Sequence, residues 1–399
     1  MSEPKVFEKP LGMRDFLPDM AERKRFLELR IQRVMEQWGY REIITPTLEF
    51  YDTVGAASAT LTNRMFKLLD REGHTLVLRP DMTAPIARVA ASLTDAPYPL
   101  RFLYHASVYR AQEQEAGRNA EFYQTGVELL GEASPGADAE VLALALSCLQ
   151  EAGVKGYKLA LGHVGLLDGL LEENVDDPRL RAELKEDLLR RDYVAFRQRL
   201  EQSALSCGQQ ERLLALLHVY RGEEGLSALS RLVGGPRSQE ALVNLQEIWE
   251  LLNGYGVSQD VILDLTLIGF LNYYTGAVFE GFAEGYGFPV LSGGRYDHLL
   301  RRFGTDAPAT GFALKVDRLL EVSQIQPEQP ERVVVAYRPG QIRQAIARAQ
   351  ALRRAQPPKA VEMIALPDSW EAERRAAFVA RQKRRGVDEV VFLEGEGLT

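Results

Sequence analysis

The feature that most constrains this chain is a pair of β-rich runs, PLRFLYHASVYR (99–110) and AEFYQTGVELLG (120–131), separated by the polar loop AQEQEAGRN (111–119). Two apolar runs of that length around one polar loop predict long antiparallel strands. Side chains on a strand alternate between faces, so Phe122, Gln124, Gly126, Glu128 and Leu130 share one face. Thr125, Val127 and Leu129 point the other way, towards helices behind the sheet. A polar side chain, a glycine and an acid on one face make an open floor with hydrogen-bonding walls. Arg110, at the end of the partner strand, can reach onto that floor, and Asp81 and Thr83 of LRPDMT enter from a neighbouring edge.

Such a set suits a small zwitterion. Arg110 can grip a carboxylate with two parallel hydrogen bonds, while Asp81 and Glu128 can pair with an ammonium or a ring N–H. The same residues read equally well as internal ion pairs, Asp81 and Glu128 neutralising Arg79, Arg110 or Arg118. Asn272, Tyr273, Tyr274 and Thr275 form a polar-aromatic strand end, and of two adjacent tyrosines one reaches the open face. LSGGRYD (291–297) lacks the spacing of a phosphate-cradling glycine loop. Its glycines read as points of close packing or of approach to a ligand.

Around this hairpin the pattern is that of an α+β core, an antiparallel sheet with helices packed on it. Phe26, Leu27, Ile31, Val34, Met35 and Trp38 recur at helical spacing, with Gly39 as the stop. REIIT (41–45), MFKLLD and TLVLRP read as short strands, Thr83 to Leu93 and Glu140 to Gly153 as helices. From about 166 to 252 leucines recur every three or four residues among Glu and Arg, which predicts a helical insert. Strands return in VILDLTLIGFLNYYTGAVFEGF and FPVLSGGRYD, and TGFALKVDRLLEV reads as a strand running into a helix. The core is thus expected over 1–322. SQIQPEQPER (323–332) is a polar, proline-bearing linker, and VVVAY, AVEMIAL and EVVFLE predict a small α/β domain over 333–399.

Composition narrows the function. At 46% hydrophobic and 26% charged residues over 399 positions, the chain is globular rather than disordered. A net charge of −8 argues against a general phosphate-binding surface, and the basic run ERRAAFVARQKRR has the spacing of a solvated helix face. No nucleic acid is therefore expected as a partner. No apolar run is long enough for a membrane helix, and MSEPKVFEKPLGMRDFLP has no apolar signal core, so a cytoplasmic protein is expected. Cys148 and Cys207 are expected as buried free thiols. Five scattered histidines without a Cys/His cluster give no metal site, and no catalytic arrangement or cofactor motif stands out.

Over residues 5 to about 322 the chain resembles histidyl-tRNA synthetase, a class II aminoacyl-tRNA synthetase. LGMRDFLP is similar to that family's N-terminal signature. REIITPTLE is similar to motif 1, with its dimer-interface proline at Pro46, and LRPDMT resembles the family's LRPEGT. Tyr109 to Gly131 resembles motif 2. GFALKVDRL resembles motif 3, where Arg318 matches the ATP-contacting arginine. LIGFLNYYTGAVFE is similar to the histidine-specific LVRGLDYYTGTVFE. The departures carry as much information. Gly269 replaces the family's catalytic arginine, Asn272 its aspartate, and RHERPQ becomes Arg110, Ala111, Gln112, Glu113, Gln114, Glu115. Loss of one charged transition-state contact commonly costs about 2.7–4 kcal/mol.

The amino-acid pocket is retained by the same comparison. Asp81, Thr83, Arg110, Gln124, Glu128, Tyr273 and Tyr274 match or adjoin positions that hold histidine in the synthetase, and Arg318 is left as a vestige of the nucleotide site. Histidine binding without activation resembles the regulatory subunits of ATP phosphoribosyltransferase, the first enzyme of histidine biosynthesis. The resemblance implies a non-catalytic, histidine-binding chain that self-associates as a dimer. It also implies assembly with a short-form catalytic subunit into a hetero-oligomer subject to feedback by histidine. The other readings are a divergent histidyl-tRNA synthetase and a free-standing histidine sensor.

Overall fold

The computed structural model describes residues 6–58, 60, 62–93, 95–111, 119–267, 274–367 and 371–393. It divides into two compact units, Met1–Ile325 and Gln326–Thr399. The strands of the first unit begin, after the helix Pro18–Gln37, with β1 (Arg41–Glu42), β2 (Leu48–Phe50), β3 (Lys67–Leu69) and β4 (Thr75–Leu78). The hairpin follows as β5 (Leu100–Tyr109) and β6 (Glu121–Leu130), then β7 (Lys158–His163) and β8 (Val219–Tyr220). Last come β9 (Val261–Asp264), β10 (Ala277–Phe282), β11 (Leu291–Arg295) and β12 (Ala309–Lys315). Among the described residues nine of these make one sheet, in the order β1-β5-β6-β12-β11-β10-β7-β9-β8. Within that sheet, among the described residues, only β1 with β5 and β7 with β9 run parallel. β2, β4 and β3 form a separate antiparallel sheet.

The hairpin pairs from Leu100 opposite Leu130 to Tyr109 opposite Glu121. Its alternation decides which face is covered. Leu103, Val127 and Leu129 are wholly buried in one cluster with Leu27, Ile31 and Met35 of the helix Pro18–Gln37. Leu142, Leu146 and Leu149 of the helix Pro135–Glu151 join them. Each such side chain stabilises the fold by about 1.5–3 kcal/mol. The opposite face, carrying Tyr104, Gln124, Gly126 and Glu128, is left for other work.

Several elements differ from the sequence reading for physical reasons. The strand at REIIT is confined to Arg41–Glu42, because only Arg41 and Glu42 pair with Phe102 and Leu103. After Ile43 N donates to Leu103 O at 2.9 Å, the chain leaves the sheet. The helix expected from Glu140 begins at Pro135, where proline's fixed φ and missing N–H suit the first turn. The leucine-rich stretch is helical from Val164–Asn174 to Pro236–Gly254, yet holds β8, which pairs antiparallel with β9. Cys148 is buried, and burial pushes its thiol pKa up. Cys207 is exposed instead, being the first residue of a short helix that buries Leu213. No helix among the described residues is long and apolar enough to cross a membrane.

The second unit is a three-stranded parallel sheet, with β13 (Arg332–Tyr337) between β14 (Ala360–Ala365) and β15 (Glu389–Phe392). Val333 and Val335 pack on Ala345 and Ala349, while Val334 and Ala336 pack with Phe378. A central strand buried on both faces explains the unbroken VVVA run.

Candidate functional site

Register and period-two alternation build the site on the open face of the large sheet. Gln124 on β6 stands opposite Lys315 on β12, Gly126 opposite Ala313, and Glu128 opposite Gly311. Ala313 in turn faces Ser292 and Gly311 faces Gly294 on β11. Ser292 faces Glu280 and Gly294 faces Val278 on β10, while Tyr104 on β5 faces Gly126. The row through the middle is therefore small (Gly126, Ala313, Ser292), with Tyr104 and Glu280 at its ends. The result is a cavity of about 170 Å³. A cavity of about 150 Å³ accepts a benzene ring, so this one suits a single amino-acid-sized molecule.

The glycines are there because nothing larger fits. A Cβ on Gly126 would meet the Phe312 carbonyl and lie 2.6 Å from the Tyr104 hydroxyl. On Gly311 it would meet the Glu128 carboxyl and the Val127 carbonyl. On Gly294 it would lie 2.8 Å from the Tyr274 ring. Glycine inside a strand here marks close approach of neighbouring groups to the backbone.

Glu128, 2% exposed, is the acid at the cavity's core. Thr83 Oγ1 donates to its Oε1 at 2.8 Å and Tyr296 Oη donates to its Oε2. Burial pushes the Glu128 pKa up to about 8, against the pull of the two hydroxyl donors. Asp81 accepts from Ser58 Oγ and from Ala84 N (3.0 Å), which fastens it at the start of the helix Thr83–Ser92. Arg110 Nε donates to Pro80 O at 2.8 Å, and its guanidinium lies 5.3 Å from the Phe122 ring centroid. Glu280 accepts from Arg191 Nη2 at 2.6 Å. Burial, then the Glu128 charge, holds the Tyr274 phenol well above its ordinary pKa, keeping it a neutral hydrogen-bonding group.

Of the residues singled out in the sequence, Asp81, Thr83, Arg110, Gln124, Glu128 and Tyr274 line this one cavity. Tyr273, Gly269, Asn272 and the stretch Gln112 to Glu115 lie outside the described residues. Arg318 is not in the lining: its Nη1 donates to Pro289 O at 2.6 Å and its guanidinium lies over Phe288. The sequence reading missed Tyr104, Glu280, Ser292, Tyr296 and Lys315. Extending the period-two count from Gly311 through Ala313 would have reached Lys315. Elsewhere, Asp70, Glu72 and His74 bring three ligand atoms together on an exposed turn. There the Asp70 oxygens already accept from Glu72 N, His74 N and the His74 ring.

Residues 12–319 match the histidyl-tRNA synthetase family. An ATP phosphoribosyltransferase regulatory subunit of Bacillus licheniformis is 47% identical over 350 residues, covering 88% of this chain and 90% of that protein. A Bacillus halodurans structure, described as an ATP phosphoribosyltransferase regulatory subunit/histidyl-tRNA synthetase, is 39% identical. It superposes with a TM-score of 0.88 over 99% of this chain and 100% of that one. Histidyl-tRNA synthetase of a Nostoc species, 20% identical, shares the fold with a TM-score of 0.78 over 95% and 90% of the two chains.

Proposed function

The chain belongs to the ATP phosphoribosyltransferase regulatory subunits, a family built on the histidyl-tRNA synthetase fold, and from that premise we propose that its cavity is a feedback site for L-histidine. The observation that carries the reading is the convergence of Asp81, Thr83, Arg110, Gln124, Glu128 and Tyr274 on one amino-acid-sized cavity. The ligand's carboxylate goes to Arg110 and Gln124, and its ammonium to Asp81 and Thr83. Its imidazole lies between Glu128 and Tyr274, whose carboxyl and phenol offer an acceptor and a donor. Tyr273 adjoins this pocket in sequence and is included in the proposal, and Arg318 is proposed as a relic of the nucleotide site.

In this reading the chain performs no transfer itself and takes no cofactor. It joins a short-form catalytic subunit in the cytoplasm, enables phosphoribosyl transfer from PRPP to ATP, and self-associates through the segment around Pro46. Binding of histidine must favour the inhibited assembly, a coupling of typically about 1–3 kcal/mol. Gly269, Glu113 and Glu115 support a chain that neither adenylates histidine nor charges tRNA, since they remove positive charge where a synthetase needs it. The direct test is calorimetric titration of the full chain with L-histidine. One site per chain, weakened about tenfold or more in Glu128→Ala, is expected; absence of binding overturns the reading.

A further inference from the structure

The cavity holds a cation that neither the resemblance nor the proposed pose uses. Lys315 ends β12 directly opposite Gln124, on the face that carries Gly311 and Ala313, and it lines the cavity. A lysine taken from water costs free energy unless an anion meets it. Among the described residues its ammonium makes no hydrogen bond and no ion pair. The cavity's acids are engaged elsewhere: Glu280 with Arg191, Glu128 with Thr83 and Tyr296, Asp81 with Ser58 and the Ala84 amide.

We propose that Lys315 joins Arg110 and Gln124 as an anchor of the α-carboxylate in this cavity, its ammonium taking one oxygen of the bound amino acid's carboxylate. The inference rests on the amino-acid-binding reading above and deepens it by assigning a second charge that selects a free carboxylate. Two further observations agree. Arg110 spends its Nε on the Pro80 carbonyl and lies against Phe122, so its Nε–Nη fork is not open to a carboxylate and a second donor completes the grip. Burial, then the positive charges of Arg318, Arg110 and Arg191, pushes the Lys315 pKa down to about 7 against the single opposing charge of Glu280. That local excess of positive charge is what an incoming carboxylate relieves.

The test compares L-histidine with L-histidinol, which keeps the ring and the ammonium but carries a hydroxymethyl group in place of the carboxylate. Calorimetric titrations are run on the full-length parent, Lys315→Met and Lys315→Gln, with melting curves to verify folding. The parent is expected to prefer histidine by about tenfold or more, the worth of one charge-assisted hydrogen bond. Both variants should show that preference clearly reduced while binding histidinol within about threefold of the parent. An undiminished preference in folded variants overturns the assignment, as does an equal loss of both ligands. If the parent binds neither ligand, the amino-acid reading itself fails, a different outcome from either of these.

Discussion

Tyr296, one residue beyond β11, donates its hydroxyl hydrogen bond to Glu128 on β6, reaching across the intervening strand β12. The bond passes above Gly311, where any side chain would occupy its path. With Thr83 on the other oxygen, Glu128 is a buried carboxyl held in one orientation before a ligand arrives. Such preorganisation reduces the ordering cost of binding.

Removing that donor is the first prediction. Tyr296→Phe leaves a buried acceptor short of a partner and should destabilise the fold by about 1–3 kcal/mol. It should also raise the Glu128 pKa further, because the hydroxyl donor pulls it down. Denaturant melts and carboxyl titration by NMR read the two effects, and unchanged values for both would contradict the geometry.

The second prediction concerns pH. Below about pH 4.5 the Glu128 carboxyl is protonated whether the chain is folded or not, and its burial carries no ionisation penalty. As pH rises from there the unfolded chain releases the proton while the folded chain keeps it to about pH 8, so stability is lost across that window. The slope is about 1.4 kcal/mol per pH unit. Glu128→Gln has no proton to hold, so its melting temperature should gain on the parent's between pH 5 and 8 and level off above. Parallel pH profiles would show that Glu128 is ionised in the folded chain.

Third, the floor should reject a methyl group. Gly311→Ala and Gly126→Ala place a Cβ on the groups named above and should each cost about 1–3 kcal/mol or more. Gly287→Ala, with nothing within 4 Å, should stay within about 0.5 kcal/mol of the parent. Equal effects at all three positions would mean that the cavity is looser than described.

What could be read in advance follows from how local the signal is. The face shared by Gln124, Gly126 and Glu128 was legible because period two needs only one strand, and Gly39 because helix stops are local. Tyr296 was not, because its place depends on β12 lying between β6 and β11, a pairing between residues far apart in sequence. Cys207 was misjudged because apolar neighbours in sequence do not say which side of a short helix faces inward. The true start of the helix Pro135–Glu151 was hidden because SPGAD reads as a loop as readily as a proline-led first turn.

Fourth, the purified chain should give no histidine-dependent exchange of pyrophosphate into ATP. By the resemblance to the synthetase, Gly269 is expected to replace its catalytic arginine, and Glu113 and Glu115 to add negative charge to the loop resembling motif 2. Exchange at a hundredth of an ordinary synthetase rate would restore the enzymatic reading.

The central claim is that this cavity transmits histidine feedback, and it is tested by steady-state phosphoribosyl transfer in the complex reconstituted with its catalytic subunit, with histidine titrated in. Glu128→Ala removes the carboxyl proposed to recognise the ring, a loss of about 1–3 kcal/mol. The account predicts that the variant still activates the catalytic subunit and that its inhibitory histidine concentration rises about tenfold or more. A complex that stays as histidine-sensitive as the parent would place the inhibitory site elsewhere and contradict the account.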